Sequence, residues 1–304
     1  MNQASSSAYE QLRAAVAQLK VPEGVRAAAA AVPGDPRPGQ IWRAVWDRVV
    51  EIVVVTAVDE TSIRAIPVSL ETRFHDSGTL LLPASASSLE QPLALWCSLG
   101  ALLPWCVLDR QVSELSVSLD ADGTPTPTAT GYRYGSPISR PAAQAAEFRA
   151  VLADTMDLLA AAHWAPQGRG DLAVLLKLHG LGPADLIQRL NIQPPRALAL
   201  LRAQTPLTPQ EAALLAPVLG RAPDKVLSAN PPLAERVVRE LSRPARRVQI
   251  RRLAQLTGTT EDNARQQALL ATLALAARQE RPAEPDWPAW ADRYFDVHLG
   301  QEGD

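Results

Sequence analysis

Hydrophobic positions along the chain change their period twice. From Ser6 to Val32, Leu12, Val16 and Leu19 recur three and four residues apart in an Ala-rich stretch. That spacing predicts an amphipathic helix broken at Pro22 and stopped for good by Val32-Pro-Gly-Asp-Pro-Arg-Pro-Gly-Gln40. Between Ile41 and Ser118 the apolar residues come instead in short β-branched runs: Ile52 to Thr56, Ser62 to Val68, Thr79 to Pro83, and Leu93 to Trp96. Strands this short, at roughly ten-residue spacing, predict a small barrel or sandwich. Asp120 to Arg140, rich in Thr, Gly and Pro, reads as a linker or an extended arm. After it the helical period returns, with Phe148, Leu152, Met156 and Leu159 on one face, and continues to about Arg281. The proline-broken tail holds Trp287, Trp290, Tyr294 and Phe295, so it is expected to dock on the body.

Within the helical half, Asp171 to Leu227 divides into five short helices. Asp171 to Leu178 ends at His179-Gly180, with His179 placed to complement the helix dipole. Pro183 and Pro194 each open a helix, where the missing N–H costs nothing, and Asn191-Ile192-Gln193 forms the tight turn between them. Thr208 and Glu211 have the spacing of a capping box for a fourth helix, and Pro223 begins a fifth. The segments ADLIQRLNIQPPRALALLR and LTPQEAALLAPVLGRAPDKVL together resemble the lambda-repressor-like (Cro/CI, XRE) helix-turn-helix family over about 57 residues. The resemblance implies that the helix after the turn enters the major groove. It places Gln193, Pro194, Pro195, Arg196 and Ala199 at the base edges, with Arg202 at the end of the same helix. Gln193 and Arg196 have the donors for base or phosphate contacts. Leu198, Leu200 and Leu201 make the helix apolar nearly all round, the pattern of a buried helix.

Charge adds a second nucleic-acid signal. The chain carries 30 Lys and Arg against 32 Asp and Glu, a net charge of −2, yet seven arginines and one acid fall between Arg236 and Arg252. Arginine suits phosphate because its fork is planar and permanently charged. Arg243, Arg246, Arg247, Arg251 and Arg252 are therefore candidate phosphate contacts. The alternative is a basic helix face paired with Glu235, Glu240 and Glu261. Arg246 to Ala277 also has a helix-turn-helix outline, which fits a dimerisation hairpin first.

The β half carries its own motifs. Pro38-Gly-Gln-Ile-Trp42, Ile66-Pro-Val-Ser69 and Leu81-Leu-Pro-Ala-Ser-Ala-Ser-Ser-Leu89 resemble the MazF/PemK-like family, an SH3-like barrel whose active members cut single-stranded RNA. The resemblance implies a cation beside the attacked phosphate and a nearby hydroxyl, which here fall on Arg48 and Ser69. Glu51 lies nearer the expected place of the cation and repels phosphate. Trp96-Cys97-Ser98 stands where the family has Asp-Gln. The barrel is accordingly read as catalytically silent, binding a protein partner or a small ligand.

Composition closes off other classes. Of 304 residues 47% are hydrophobic, enough for packed cores, and no apolar run reaches a membrane span of ~18 residues. The polar start shows no secretory signal, and Cys97 and Cys106 among apolar neighbours read as ordinary thiols, so a soluble cytoplasmic protein is expected. No metal-binding, phosphate-loop or Gly-x-Ser-x-Gly motif is present, and no cofactor is expected.

The expected fold class is α+β, an SH3-like barrel followed by an all-α helix-turn-helix domain and a helical extension. The expected divisions are an N-terminal helix (1–32), barrel (33–119), linker or arm (120–140), helix-turn-helix domain (141–230), and basic extension with aromatic tail (231–304). The leading expectation is a DNA-binding regulator, with double-stranded DNA as partner and a two-fold homodimer matching palindromic sites. A metal-independent, toxin-like endoribonuclease fused to its own regulatory helices, and a protein-interaction scaffold, are the alternatives.

Overall fold

The computed structural model describes residues 22–136, 142–164, 168–276 and 285–300. Leu12, Val16 and Leu19 lie outside them. Helix α1 (Glu23–Ala30) follows Pro22 and lies against β7. The strands are β1 (Gln40–Trp46), β2 (Val49–Val58), β3 (Ser62–Ser69), β4 (Thr79–Leu82), β5 (Leu93–Trp96), β6 (Ala101–Pro104), β7 (Leu108–Glu114) and β8 (Arg133–Tyr134). Then come α2 (Ala142–Ala160), α3 (Leu172–Leu178), α4 (Pro183–Leu190), α5 (Pro194–Leu201), α6 (Pro209–Leu219) and α7 (Pro223–Leu227). The last four are α8 (Glu235–Ser242), α9 (Pro244–Thr257), α10 (Glu261–Ala276) and α11 (Trp287–Leu299).

The sheet is antiparallel throughout, in the order β7-β1-β2-β3-β5-β4-β8, with β6 also on β3. It forks at β3: Ser62 to Ala65 pair with β6, while Val68 and Ser69 pair with β5. Pro67, which has no N–H to give a ladder, falls at this fork. Period-two alternation sends Val54, Ile66, Leu80 and Leu95 to one face and Val53, Val55, Ile63 and Leu103 to the other.

That second face is covered by helices. Leu159 of α2, Val237 of α8, Leu253 of α9, Leu269 of α10 and Phe295 of α11 join the strands in one core. Trp164 beyond α2 donates its indole N–H to the Leu241 carbonyl at 2.9 Å. Both α2, expected with the helix-turn-helix domain, and the basic extension thus share their core with the sheet. The first face is closed partly by the 120–136 segment, which is an ordered arm. The Thr56 hydroxyl donates to the Ala121 carbonyl at 2.8 Å, and β8 pairs with β4. Gly123 lies at φ +81°, in the left-handed region that favours glycine, and passes so close to Ile66 that an added Cβ, 2.0 Å from its Cδ1, would force that side chain to move.

Helices α3 to α7 form a second unit, inserted between α2 and α8, with a hydrophobic core that shares no residue with the first. Leu172, Leu176, Leu186, Leu200, Leu215 and Val226 are its centre. Four of these five helices start with proline, and the capping box closes as expected. The Glu211 N–H donates to Thr208 Oγ1 at 3.1 Å, and Glu211 Oε2 accepts from the Thr208 N–H at 2.7 Å. Chain entry and exit form a paired neck: Arg169 N–H donates to the Ser228 carbonyl at 3.0 Å and Gly170 N–H to the Asn230 carbonyl at 2.8 Å. Buried Asn230 locks this neck to the unit by exchanging two hydrogen bonds with the Leu207 backbone, at 2.8 and 3.0 Å.

Candidate nucleic-acid interface

In the insert, α4 stops at Leu190 because Asn191 turns into the left-handed region, at φ +52°. Asn tolerates that conformation better than most non-glycine residues. Two further residues lead into α5, whose pre-set proline φ starts the helix at once. Ala197 and Leu200 bury one side of α5, while Gln193, Pro194 and Pro195 at its start are exposed and Leu198 is 42% exposed. Arg202 at its end and Arg189 on α4 are exposed as well.

Arg196 is placed otherwise. Its guanidinium makes a bidentate pair with Glu211 at 2.7 and 3.2 Å, and donates to Thr205 Oγ1 at 2.5 Å and the Pro206 carbonyl at 2.7 Å. The fork is occupied in pinning α5 to α6, so Arg196 is a clamp inside the unit.

In the arginine cluster of α8 and α9, Arg246 and Arg247 are buried and Arg243 and Arg251 half-buried for the same reason, whereas Arg236 and Arg239 are exposed. Arg243 pairs with Asp35 at 2.8 Å and Glu240 at 3.2 Å. Arg246, 8% exposed, reaches Glu240 at 2.5 Å and Asp292 at 2.6 Å. Arg247, 6% exposed, binds Glu261 at 2.8 Å and the carbonyls of Val45, Cys106 and Val107 at 2.8–3.0 Å. Arg251 pairs with Glu261 at 3.0 Å and with Asp109, which Arg43 also holds. Arg252 is exposed. Burial pushes the Glu261 carboxyl up, but Arg247, Arg251 and Arg265 more than reverse this and hold it below its usual range. Gln193, Arg196 and the arginine cluster therefore do not form one exposed surface.

The residues matched to nuclease chemistry do not line one cleft. Arg48 is exposed in the β1–β2 turn and lines a cleft of about 670 Å³ with Trp46, Arg251, Glu261 and Arg265. Ser69 is not on that cleft; it lies buried at the end of β3 and accepts from the Glu71 N–H at 2.9 Å. Burial raises the Glu51 carboxyl to about 7, despite the Ile52 N–H that it accepts. Cys106 is pushed up to about 11 by burial, which leaves its thiol unreactive. Among the described residues no group of three or more His, Cys, Asp or Glu is placed to hold a metal. Nor is any described helix long and apolar enough to cross a membrane.

Four insert cations, Arg169, Lys177, Arg221 and Lys225, escape a search for local arginine clusters because they are spread over 57 residues. They register only in the charge of the whole unit. Residues 168–230 carry seven Lys and Arg against four Asp and Glu, whereas the rest of the chain carries twenty-three against twenty-eight. Compared with protein-family models, with curated proteins and with solved structures, the chain matches none.

Proposed function

We propose that this chain is a DNA-binding protein, a transcriptional regulator, whose insert is a lambda-repressor-like helix-turn-helix unit. The reading rests on one observation: the α4–turn–α5 pair sits on a separately cored, net-positive unit with the start of α5 exposed. In this reading α5 enters the major groove. Gln193 meets adenine through its amide, and Pro195 and Leu198 lie against thymine methyl groups. Arg189 and Arg202 hold the flanking phosphates, where they fix register without reading sequence. With Arg196 committed to Glu211, the reading face has no guanidinium for guanine, so A·T-rich sites are favoured. The sheet, SH3-like and MazF-like in its motifs, acts as a catalytically silent platform; the place of Ser69 off the cleft that Arg48 lines supports that silence.

The test is selection of duplexes from a random pool, followed by titration of the selected and scrambled sequences. Gln193→Ala is expected to narrow the gap between them by about 1–3 kcal/mol. Arg189→Ala and Arg202→Ala are expected to weaken both alike and to flatten the slope of log affinity against log salt by about 0.9 per contact. Failure of the intact protein to bind any duplex, or an equal loss on every sequence from Gln193→Ala, would overturn the reading.

A further inference from the structure

The outer face of α3 has no role in that reading. Leu172, Leu175 and Leu176 fill the insert core, yet Val174 is 59% exposed and Leu178, one turn on, is 76% exposed. A seven-residue helix that presents aliphatic side chains on its solvent side as well as its core side has more apolar surface than its own fold uses. The ridge is flanked by two grooves. One, of about 620 Å³, runs between α3 and α7 and is bordered by Arg169, Arg221 and Lys225. The other, of about 450 Å³, lies toward Leu201 and is bordered by Lys177. Four cations ring the ridge, and the one acid lining either groove is Asp171.

We propose that this α3 face is a docking site for an acidic amphipathic segment of a partner protein, with aliphatic anchors in the two grooves and carboxylates on the surrounding cations. Charge complementarity selects the occupant's sign. The apolar centre selects its class, because a phosphate backbone leaves Val174 and Leu178 in water, whereas an amphipathic helix covers them. The site is separate from the proposed reading end. Leu201 and Pro194 are the two ends of α5, about 10 Å apart at 1.5 Å per residue, so a segment on α3 leaves Gln193 open. The proposal stands independently of DNA binding.

The probe is a fluorescein-labelled synthetic helical peptide with leucines along one stripe and glutamates beside it, titrated into the full-length protein by anisotropy. A second peptide replaces every glutamate by lysine. The acidic peptide is expected to bind saturably, at least tenfold tighter than the basic one, and to weaken with salt. Leu178→Asp, and separately the pair Arg221→Glu and Lys225→Glu, are expected to reduce its affinity at least tenfold. Circular dichroism checks their folding, and the charge pair, at exposed positions, carries the test should Leu178→Asp misfold. Titration of selected and scrambled duplexes into the same variants, with Gln193→Ala alongside, separates the two sites: loss of peptide with the ratio of selected to scrambled duplex affinity unchanged supports the docking site, and Gln193→Ala is expected to narrow that ratio with peptide binding unchanged. Equal binding of both peptides, absence of saturable binding, or peptide binding intact in the charge pair would each overturn it.

Discussion

In the body, Arg246 and Arg247 are 8% and 6% exposed and end on carboxylates and carbonyls; in the insert, Arg189, Arg202 and Arg221 reach solvent. The body is nevertheless the region with the denser arginine sequence. Local arginine density is thus a poor guide to surface charge where acids from distant strands fold back onto it. A guanidinium taken out of water needs fixed partners, and Asp109, Glu240 and Glu261 supply them in the body. The insert is too small to bury many such pairs and commits one arginine, Arg196, to Glu211.

Removing a body arginine gives the sharpest contrast. Arg247→Ala leaves three carbonyls without their donor and Glu261 short of one cation. Breaking a buried pair in this way is expected to cost the body about 3–5 kcal/mol in urea unfolding. The unfolding of the insert, followed by amide exchange at Leu186 and Leu200, is expected to stay where it was. A cost under about 1 kcal/mol would mean that Arg247 behaves as a surface pair and would dissolve the contrast.

Glu51 tests the body from the acid side. Its folded value, about 7, lies above the ordinary 4.5, so it contributes stability that is full below pH 4.5 and is lost as pH rises through 7. Glu51→Gln should abolish that loss and leave the variant more stable than the parent at pH 8 by about 3 kcal/mol, the linkage equivalent of the displacement. Melts at pH 4 and pH 8 with equal differences between parent and variant would show that Glu51 titrates normally. Glu261 works in the opposite sense: its contribution is present above the usual carboxylate range and is lost as pH falls.

The smallest effect belongs to the insert. Thr208→Ala removes the side-chain half of the α6 capping box and is expected to cost about 1 kcal/mol, read as faster amide exchange in the insert alone. A matching change in the body would show that the two cores unfold as one unit.

The elements were legible because their signals are local. Prolines 183, 194, 209 and 223 mark helix starts, Thr208 and Glu211 close their box, and β-branched runs mark β2 and β3. What was not legible depends on long-range partners. Arg251 meets Asp109 from β7, Arg243 meets Asp35, and Arg247 meets the Val45 carbonyl, each across more than 100 residues of chain. No window of sequence contains both members of such a pair. The 120–136 arm hid likewise, since Thr, Gly and Pro describe a free linker and a docked one equally well. At the candidate site, the turn followed from the proline-started helices on either side and the place of Gln193 from the family resemblance, while the capture of Arg196 by Glu211, fifteen residues on, followed from neither. The aliphatic excess of Leu172 to Leu178 emerges only once Leu172, Leu175 and Leu176 are assigned to the insert core, which leaves Val174 and Leu178 outside it.

The neck at Gly170 and Asn230 bears on the history and engineering of the chain. Because entry and exit lie within one hydrogen bond of each other, the body sees the insert as a point of attachment and not as a length of chain. Any compact unit whose own termini are adjacent meets the same geometric condition, which is what permits one module to be excised or exchanged for another without disturbing the body.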